Sequence, residues 1–323
     1  MERHAYTLCD RPPALQWGVL LIASIVLVGL LKLVNLPAAL LLGSMAAAIL
    51  VAAFDGRTAV PAWLFIIAQG VVGCLVARSI GPDILKTMVR QWPVFLTSIC
   101  AVIFFGAALG GLLARWKVLP GTSAIWGSAP GAATIMVLMS EAFGGDMRLV
   151  AVMQYLRVVL VGIVASVVAR LWATSGSAAA VATDWFPAVA AAPFGETLAL
   201  AVVGAVIGAK TKIPAGPLLV PLFVGVALSA SHLVTITLPP WLLAGCYAVV
   251  GWSIGLRFTR DIVLHAARLF SRIAASILAL MALCGCLAGA LHVVAGTDPL
   301  TAYLATTPGG ADSVAIIAAS SAV

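Results

Sequence analysis

The sequence predicts an all-α integral membrane protein built from two homologous repeats of about five to six transmembrane segments each. Three observations support this fold class. Hydrophobic residues make up 63% of the 323-residue chain and charged residues only 9%, whereas soluble domains carry about 25% charged residues. Apolar runs of about 18 residues or more, long enough to span a bilayer, recur along the chain. Finally, Pro, Gly and Trp residues of the first half return in the second half 177 or 178 residues later.

The first repeat is predicted over residues 15–172. Asn35-Leu36-Pro37 turns the chain after the first segment, and a proline suits the first turn of the next helix. Asp55-Gly56-Arg57 and Gly81-Pro82-Asp83 close the second and third segments, and Arg115 follows the fourth. Gly144-Gly145-Asp146 ends the fifth. The predicted segments are 17–34, 37–54, 63–80, 92–114, 121–143 and 147–171.

Residues 173–194, which are rich in Ala, Ser and Pro and carry one charge, are the predicted linker to a second repeat over residues 195–323. Its predicted segments are 195–209, 214–231, 240–256, 273–295 and 300–320. By repeat logic, a counterpart of 147–171 would follow Val323, so the second repeat is expected to lack its last helix. We therefore expect either a homodimer that shields 300–320 or a poorly stable monomer.

The register between the halves depends on residue types that rarely match by chance. The matched pairs are Pro37 and Pro214, Trp63 and Trp241, Gly73 and Gly251, Asp83 and Asp261, Gly111 and Gly289, and Pro130-Gly131 and Pro308-Gly309. Pairs of small residues four positions apart also recur in both halves at this offset, and such pairs let helix backbones approach closely in membranes. Close packing is therefore expected at Gly73/Ala77, Gly251/Gly255, Ala107/Gly111 and Gly285/Gly289.

Each repeat contains a predicted helix that Pro-Gly breaks, at Pro130-Gly131 and Pro308-Gly309, among hydroxyl side chains. Proline removes a backbone donor and glycine weakens helical geometry. The freed backbone groups need partners in the protein or in a water-filled cavity. Paired broken helices at equivalent positions point to a transporter site. The alternative is a kink that serves packing alone.

The costliest side chain in a predicted span is Arg157, with Gln154 on the same helical face. They offer a cation and an amide to an anionic group. Alternatively, they form a structural pair, with Arg157 bound to carbonyls freed at Pro130 or to Glu141. The candidate substrate-binding residues are Ser128, Pro130, Gly131, Thr134, Gln154, Arg157, Thr306, Thr307, Pro308, Gly309, Gly310, Asp312 and Ser313.

Asp312 follows the second break by a few residues, inside an apolar run. Such a carboxyl is a candidate for proton or sodium coupling. The alternative is a helix N-cap supplied by Asp312 or Ser313.

Two topologies remain open. If 121–143 crosses the membrane, the halves are parallel; if it dips in and returns, they are inverted. Either arrangement places an excess of Lys and Arg on the inner side. The inverted arrangement fits the transporter pattern better, and we favour it.

The net charge of +7 is spread over short loops, which suits anionic lipid better than nucleic acid. The six cysteines are scattered and resemble buried small hydrophobes, and neither they nor the histidines show metal-site spacing. We find no enzyme constellation and expect no cofactor. The expected partners are the lipid bilayer, a small anionic or amine solute and a second copy, without direct nucleic-acid binding. The expected location is a bacterial inner membrane.

The duplicated pattern resembles the AbrB family of bacterial membrane proteins. The matching stretches are Leu36-Pro37 to Gly43, Ser128-Ala129-Pro130-Gly131, Asp146-Met147-Arg148-Leu149-Val150-Ala151, Gln154-Tyr155-Leu156-Arg157 and Thr307-Pro308-Gly309-Gly310-Ala311-Asp312-Ser313-Val314-Ala315. The resemblance implies the membrane fold. Related proteins are often labelled regulators of gene expression or "ammonia monooxygenase", and neither label follows from these residues. A membrane-embedded regulator that acts through a partner protein is the alternative to a transporter.

This chain departs from the family pattern after its breaks. Similar proteins usually carry Glu shortly after Pro-Gly-Gly, where this chain has Ile135 and Ser313. A carboxylate role in the first copy is therefore not expected.

Overall fold

A computed structural model describes residues 12–34, 38–56, 58–80, 90, 92–116, 121–130, 136, 139–140, 143–173, 185–211, 213, 215–231, 233–258, 260–296 and 299–309. Across these ranges the regular structure is helical. The helices are α1 Pro13–Leu33, α2 Ala39–Ala53, α3 Ala62–Ser79, α4 Trp92–Arg115, α5 Gly121–Ser128, α6 Met147–Ala173, α7 Ala191–Lys210, α8 Gly216–Ala230, α9 Pro240–Gly255, α10 Arg260–Ala295 and α11 Pro299–Thr306.

Six of the helices in the described ranges are long and apolar enough to cross a membrane: α1, α3, α4, α6, α7 and α10. Helices α2, α8 and α9 are shorter but equally apolar. At 1.5 Å per residue, a helix of 15 residues still covers about 22 Å of a hydrocarbon core about 30 Å thick. The expected all-helical fold is confirmed for the described residues, and the six candidate spans are consistent with a multi-pass membrane protein.

One helical group joins α1–α3 to α7–α9. Helix α2 packs on α9 and α3 packs on α8, so each of these helices meets a partner from the other half of the chain. A Cβ on Gly251 of α9 would lie 2.7 Å from the Leu41 carbonyl oxygen, and a Cβ on Gly73 of α3 would lie still closer to the Leu218 carbonyl oxygen. The glycines are required here because any side chain would strike backbone.

A second group consists of α4, α5, α6, α10 and α11. Its apolar core combines side chains of α4, α5, α6 and α10, among them Leu113, Ala124, Met153 and Ile277. Here too the two halves of the chain mix, because α10 packs on α4 and α6. This group positions the candidate site.

The helix bounds follow the apolar runs closely, with one clear difference. We expected the long helix of the second half to begin at residue 273, but α10 begins at Arg260. Hydropathy finds only the part at membrane depth. The polar residues Arg260, His265, Arg268 and Arg272 recur every three to five positions, a helical spacing that carries α10 beyond the apolar run.

The close packing expected at small residues is found at some pairs and not at others. Gly251 and Gly255 lie against α2, and Gly73 lies against α8. In contrast, Gly111 and Gly289 are exposed, and a Cβ there would meet no atom within 4 Å. That expectation was wrong because these positions lie on outward faces of α4 and α10.

The cysteines, expected to be buried small hydrophobes, also divide into two groups: Cys74, Cys246 and Cys284 are buried, whereas Cys100 and Cys286 are exposed.

Candidate functional site

The first candidate residues lie where α5 ends. The helix stops at Ser128, and Pro130 follows without helical structure. Its ring lacks the backbone N–H that another turn would use. The Ser128 hydroxyl donates to the Ala124 carbonyl oxygen one turn earlier, at 2.7 Å. The later carbonyls of the helix end therefore need partners from elsewhere.

Helix α4 supports this helix end through two glycines. A Cβ on Gly106 would lie 2.6 Å from Cδ of Pro130, and one on Gly110 would lie 2.9 Å from Cα of Ile125. Because both positions lack a side chain, α5 and the following proline rest directly on the α4 backbone. These glycines fix where the helix end lies.

The two ends of the segment 121–146 lie side by side. The backbone N–H of Asp146 donates to Ser123 Oγ at 2.8 Å, and the Trp126 and Phe143 rings stack at 5.5 Å between centroids. A straight helix from 121 to 143 would separate its ends by about 33 Å. The described residues at the two ends of this segment, 121–130 and 143–146, therefore lie next to each other.

Gln154 and Arg157 extend from α6 to the carbonyls of this helix end. Gln154 Nε2 donates to the carbonyl oxygens of Trp126 (2.8 Å) and Ala129 (3.1 Å). Arg157 donates through Nη1 to the Ala129 carbonyl (3.0 Å) and through Nη2 to Gln154 Oε1 (2.6 Å). A cation is favourable at the C-terminal end of a helix, where the macrodipole is negative. The pair thus caps the half-helix.

Arg157 is buried and keeps unused donors. It is only 2% exposed, and Gln154 is fully buried. A guanidinium carries five N–H donors, yet Nε has no hydrogen-bond partner, and no carboxylate in the described part of the chain pairs with it. Burying Arg at the centre of a bilayer costs at least about 2.5 kcal/mol. Within the described residues, the cap is therefore not accompanied by any carboxylate that would compensate this charge.

The second half-helix, α11, ends at Thr306, two residues before Pro308. Thr306 is fully buried, and its hydroxyl lies 3.1 Å from the Cys284 carbonyl oxygen and 3.0 Å from that of Ala302. The Thr307 N–H donates to the Tyr303 carbonyl at 3.0 Å. Helix α10 therefore holds this helix end in place through Cys284.

Helix α10, which holds the end of α11 through the Cys284 carbonyl, also packs on α6, the helix that carries Arg157. The ends of α5 and α11 are thus connected through two helices that pack on each other.

The structure brings together several of the predicted site residues. Ser128, Pro130, Gln154 and Arg157 surround the end of α5, while Thr306, Thr307, Pro308 and Gly309 surround the end of α11. The remaining candidates lie outside the described residues: Gly131, Thr134, Gly310, Asp312 and Ser313. Of the two alternatives for Arg157, the observed contact is with a backbone carbonyl, and Glu141 lies outside the described residues.

Sequence reasoning missed the groups that complete this site. The acceptors at Trp126 and Ala129 are backbone carbonyls, which leave no trace in residue type. Gly106 and Gly110 do form a four-residue spacing, one position before the pair we singled out. The described residues contain no group of three or more His, Cys, Asp or Glu side chains able to hold a metal ion.

Comparison with known proteins gives two matches. A family model described as "Transition state regulatory protein AbrB" matches residues 40–323. A relative from Escherichia coli strain K12, named "Putative regulator AbrB", is 43% identical over 312 residues, which cover 96% of this chain and 89% of that protein. No solved structure matches the chain significantly.

Proposed function

The chain belongs to the AbrB family, and on that premise we propose that it is a secondary transporter or solute-binding protein of the bacterial inner membrane. Its site would lie between the Pro-Gly breaks, and we assign it no catalytic activity. The observation that carries this proposal is the charge of Arg157, which is buried beside the end of a broken helix and has no carboxylate partner among the described residues.

The contacts favour an anionic solute over an amine. The Ala129 carbonyl already accepts from both Gln154 and Arg157, so little acceptor capacity remains for an ammonium group. Arg157, in contrast, retains unused N–H donors, and a guanidinium binds carboxylates and phosphates through two parallel hydrogen bonds. The solute we propose is therefore a small anion with a carboxylate or phosphate group.

A solute needs a second conformation to reach this site. The Nε atom of Arg157 is buried in the present one, so α5 or α11 must move relative to α6. Alternating access provides such a movement, because one group of helices rocks against another around a fixed site.

The duplication that alternating access uses is supported by matching contacts. Gly73 meets the Leu218 carbonyl, and Gly251 meets the Leu41 carbonyl. At the repeat offset of 177 or 178 residues, Gly73 corresponds to Gly251 and Leu41 to Leu218, so the two contacts are equivalent. The same offset relates Ala38 and Ala215, which precede α2 and α8 in left-handed conformation, with φ of 55° and 57°. Non-glycine residues rarely adopt this conformation.

The direction of packing favours inverted repeats. Gly251 lies beside Leu41 and Gly255 beside Met45, so α9 runs parallel to α2. By the register of the repeats, α9 corresponds to α3, and α3 follows α2 after only residues 54–61. Consecutive spans with so short a connection run antiparallel. Because α9 then runs opposite to its counterpart α3, this packing supports inverted halves, and the proximity of residues 121–130 to 143–146 is in keeping with them.

Cysteine labelling tests the inversion. Phe54 and Ser231 are exposed, follow α2 and α8 and correspond at the repeat offset. In a cysteine-free background, we expect Phe54→Cys and Ser231→Cys to react with an impermeant maleimide from opposite sides of the membrane. Labelling from the same side would establish parallel repeats and remove the argument for alternating access. Residues 78–90 and 257–272 should likewise face opposite sides.

Flux tests the function itself. Protein reconstituted in liposomes should take up one or more small anions from a panel of carboxylates and phosphate esters. We expect Arg157→Gln to abolish uptake. Arg115→Gln, at the exposed end of α4, should retain it as the matched control. If no anion or amine in a broad panel moves or binds, the proposal is wrong.

The names of the family and of the relative favour a second function, a membrane-embedded regulator of gene expression that acts through a partner protein. That reading predicts a co-purifying partner, lost when the basic residues at 78–90 and 257–272 are replaced. It predicts no solute flux. The flux and pull-down results together separate the two functions.

A further inference from the structure

A cavity of about 270 Å³ lies between α1, α2 and α6, away from the two helix breaks. Its wall is entirely apolar and includes Leu31, Met45, Ile49, Val159, Ile163 and Val167. No polar atom faces it, so a hydrogen-bonding solute gains nothing there and would lose its hydration. Its chemistry therefore suits hydrocarbon.

The cavity follows α6 from Val159 to Val167. Ile163 and Val167 on its wall are 44% and 42% exposed, which leaves that side open to surrounding lipid. From Val159 to Val167 the helix rises about 12 Å. The space is thus an elongated groove between membrane helices, the shape that an acyl chain occupies.

A cationic residue directly follows one of the groove's lining residues in the chain. Leu31 on its wall directly precedes Lys32 in the last turn of α1. Lys32 is exposed, and its Nζ lies 4.2 Å from the centroid of the Trp185 ring. No carboxylate in the described ranges pairs with it. Lys and Trp are residues that meet headgroups at the membrane surface.

From this arrangement we propose that the groove binds one acyl chain of an anionic phospholipid and that Lys32, steadied by Trp185, holds the lipid phosphate. The groove alone would accept any lipid. The lysine that follows Leu31 in the chain makes anionic headgroups preferred, because a single lysine near a membrane surface favours them about fivefold. This site is independent of the solute site at Arg157.

Lipid binding to the full-length protein in detergent tests the proposal. Phosphatidylglycerol and phosphatidylcholine with identical chains are titrated separately, and bound lipid is counted by native mass spectrometry. We expect wild-type protein to prefer phosphatidylglycerol. Lys32→Gln should reduce its affinity for phosphatidylglycerol about fivefold and leave that for phosphatidylcholine unchanged. Ile163→Trp, which fills the groove, should weaken both.

Two matched controls belong to α7. Lys210→Gln removes an exposed lysine at a helix end, and Ile207→Trp enlarges an exposed apolar residue outside the groove; both should bind as wild type. If Lys210→Gln acts like Lys32→Gln, the preference is a general surface effect and the proposal is wrong. It is equally wrong if Ile163→Trp changes only the oligomeric mass, since a second copy then fills the groove. Should Ile163→Trp fail to fold, the lysine pair still decides.

Discussion

Replacing Arg157 should separate a structural cap from a functional charge. Arg157→Met keeps an unbranched side chain of similar length but removes the charge and both hydrogen bonds. The Arg157 bond to the Ala129 carbonyl joins α6 to the end of α5, and hydrogen bonds between membrane helices contribute about 0.6 kcal/mol each on average. Gln154 Oε1 loses its donor as well, which costs about 1–3 kcal/mol.

Against this loss stands the gain from no longer burying a cation, about 2.5–3.5 kcal/mol on insertion scales. The two contributions nearly cancel, so we expect Arg157→Met to change the free energy of unfolding by no more than about 1–2 kcal/mol in either direction. Gln154→Leu offers a comparison without such relief. It removes two hydrogen bonds and leaves Arg157 Nη2 without an acceptor, so a loss of about 2–4 kcal/mol is expected.

The assay is reversible unfolding of each variant in detergent or bicelles, with size-exclusion profiles to confirm folding. The expected order of stability is wild type and Arg157→Met together, above Gln154→Leu. Anion binding should nevertheless be lost in Arg157→Met. If Arg157→Met is the less stable variant, the arginine serves mainly as a cap, and the argument that its charge is kept for a solute fails.

Two further predictions concern glycines. Gly251→Leu should destabilise the protein by about 1–3 kcal/mol, since its Cβ would lie 2.7 Å from the Leu41 carbonyl oxygen. The control Gly245→Leu, at an open position of the same helix, should unfold at the same temperature as wild type. Equal melting temperatures of the two variants would contradict the packing of α9 on α2. Gly106→Val should displace Pro130 and reduce anion binding, while Gly111→Val, with open space around it, should bind anions as wild type does. If Gly106→Val also leaves anion binding unchanged, α4 does not position the break.

Much of the fold could be predicted because apolar length and polar turns determine membrane helices almost directly. Helix α3, for example, was expected over residues 63–80 and is found over Ala62–Ser79. The extension of α10 to Arg260 could not be seen in the same way, because its first turns are amphipathic and escape a hydropathy criterion.

The candidate site was predictable only in part. Arg157 and Gln154 are conspicuous as polar residues in an apolar run, and their spacing places them on one helical face. Their acceptors are backbone carbonyls at Trp126 and Ala129, and a sequence does not show which carbonyl a side chain reaches. Tertiary packing likewise decided that Gly106 touches the break while Gly111 faces outward.

The exchange of partners between α2 and α9 has a consequence for biosynthesis. Helix α2 enters the membrane about 190 residues before α9 leaves the ribosome, and at 5–20 residues per second this delay is about 10–40 s. During that time the face of α2 that later meets Gly251 has only lipid beside it. The first half of the chain therefore cannot mature as it is synthesised, and the native core assembles only after the last of the exchanged helices has been inserted.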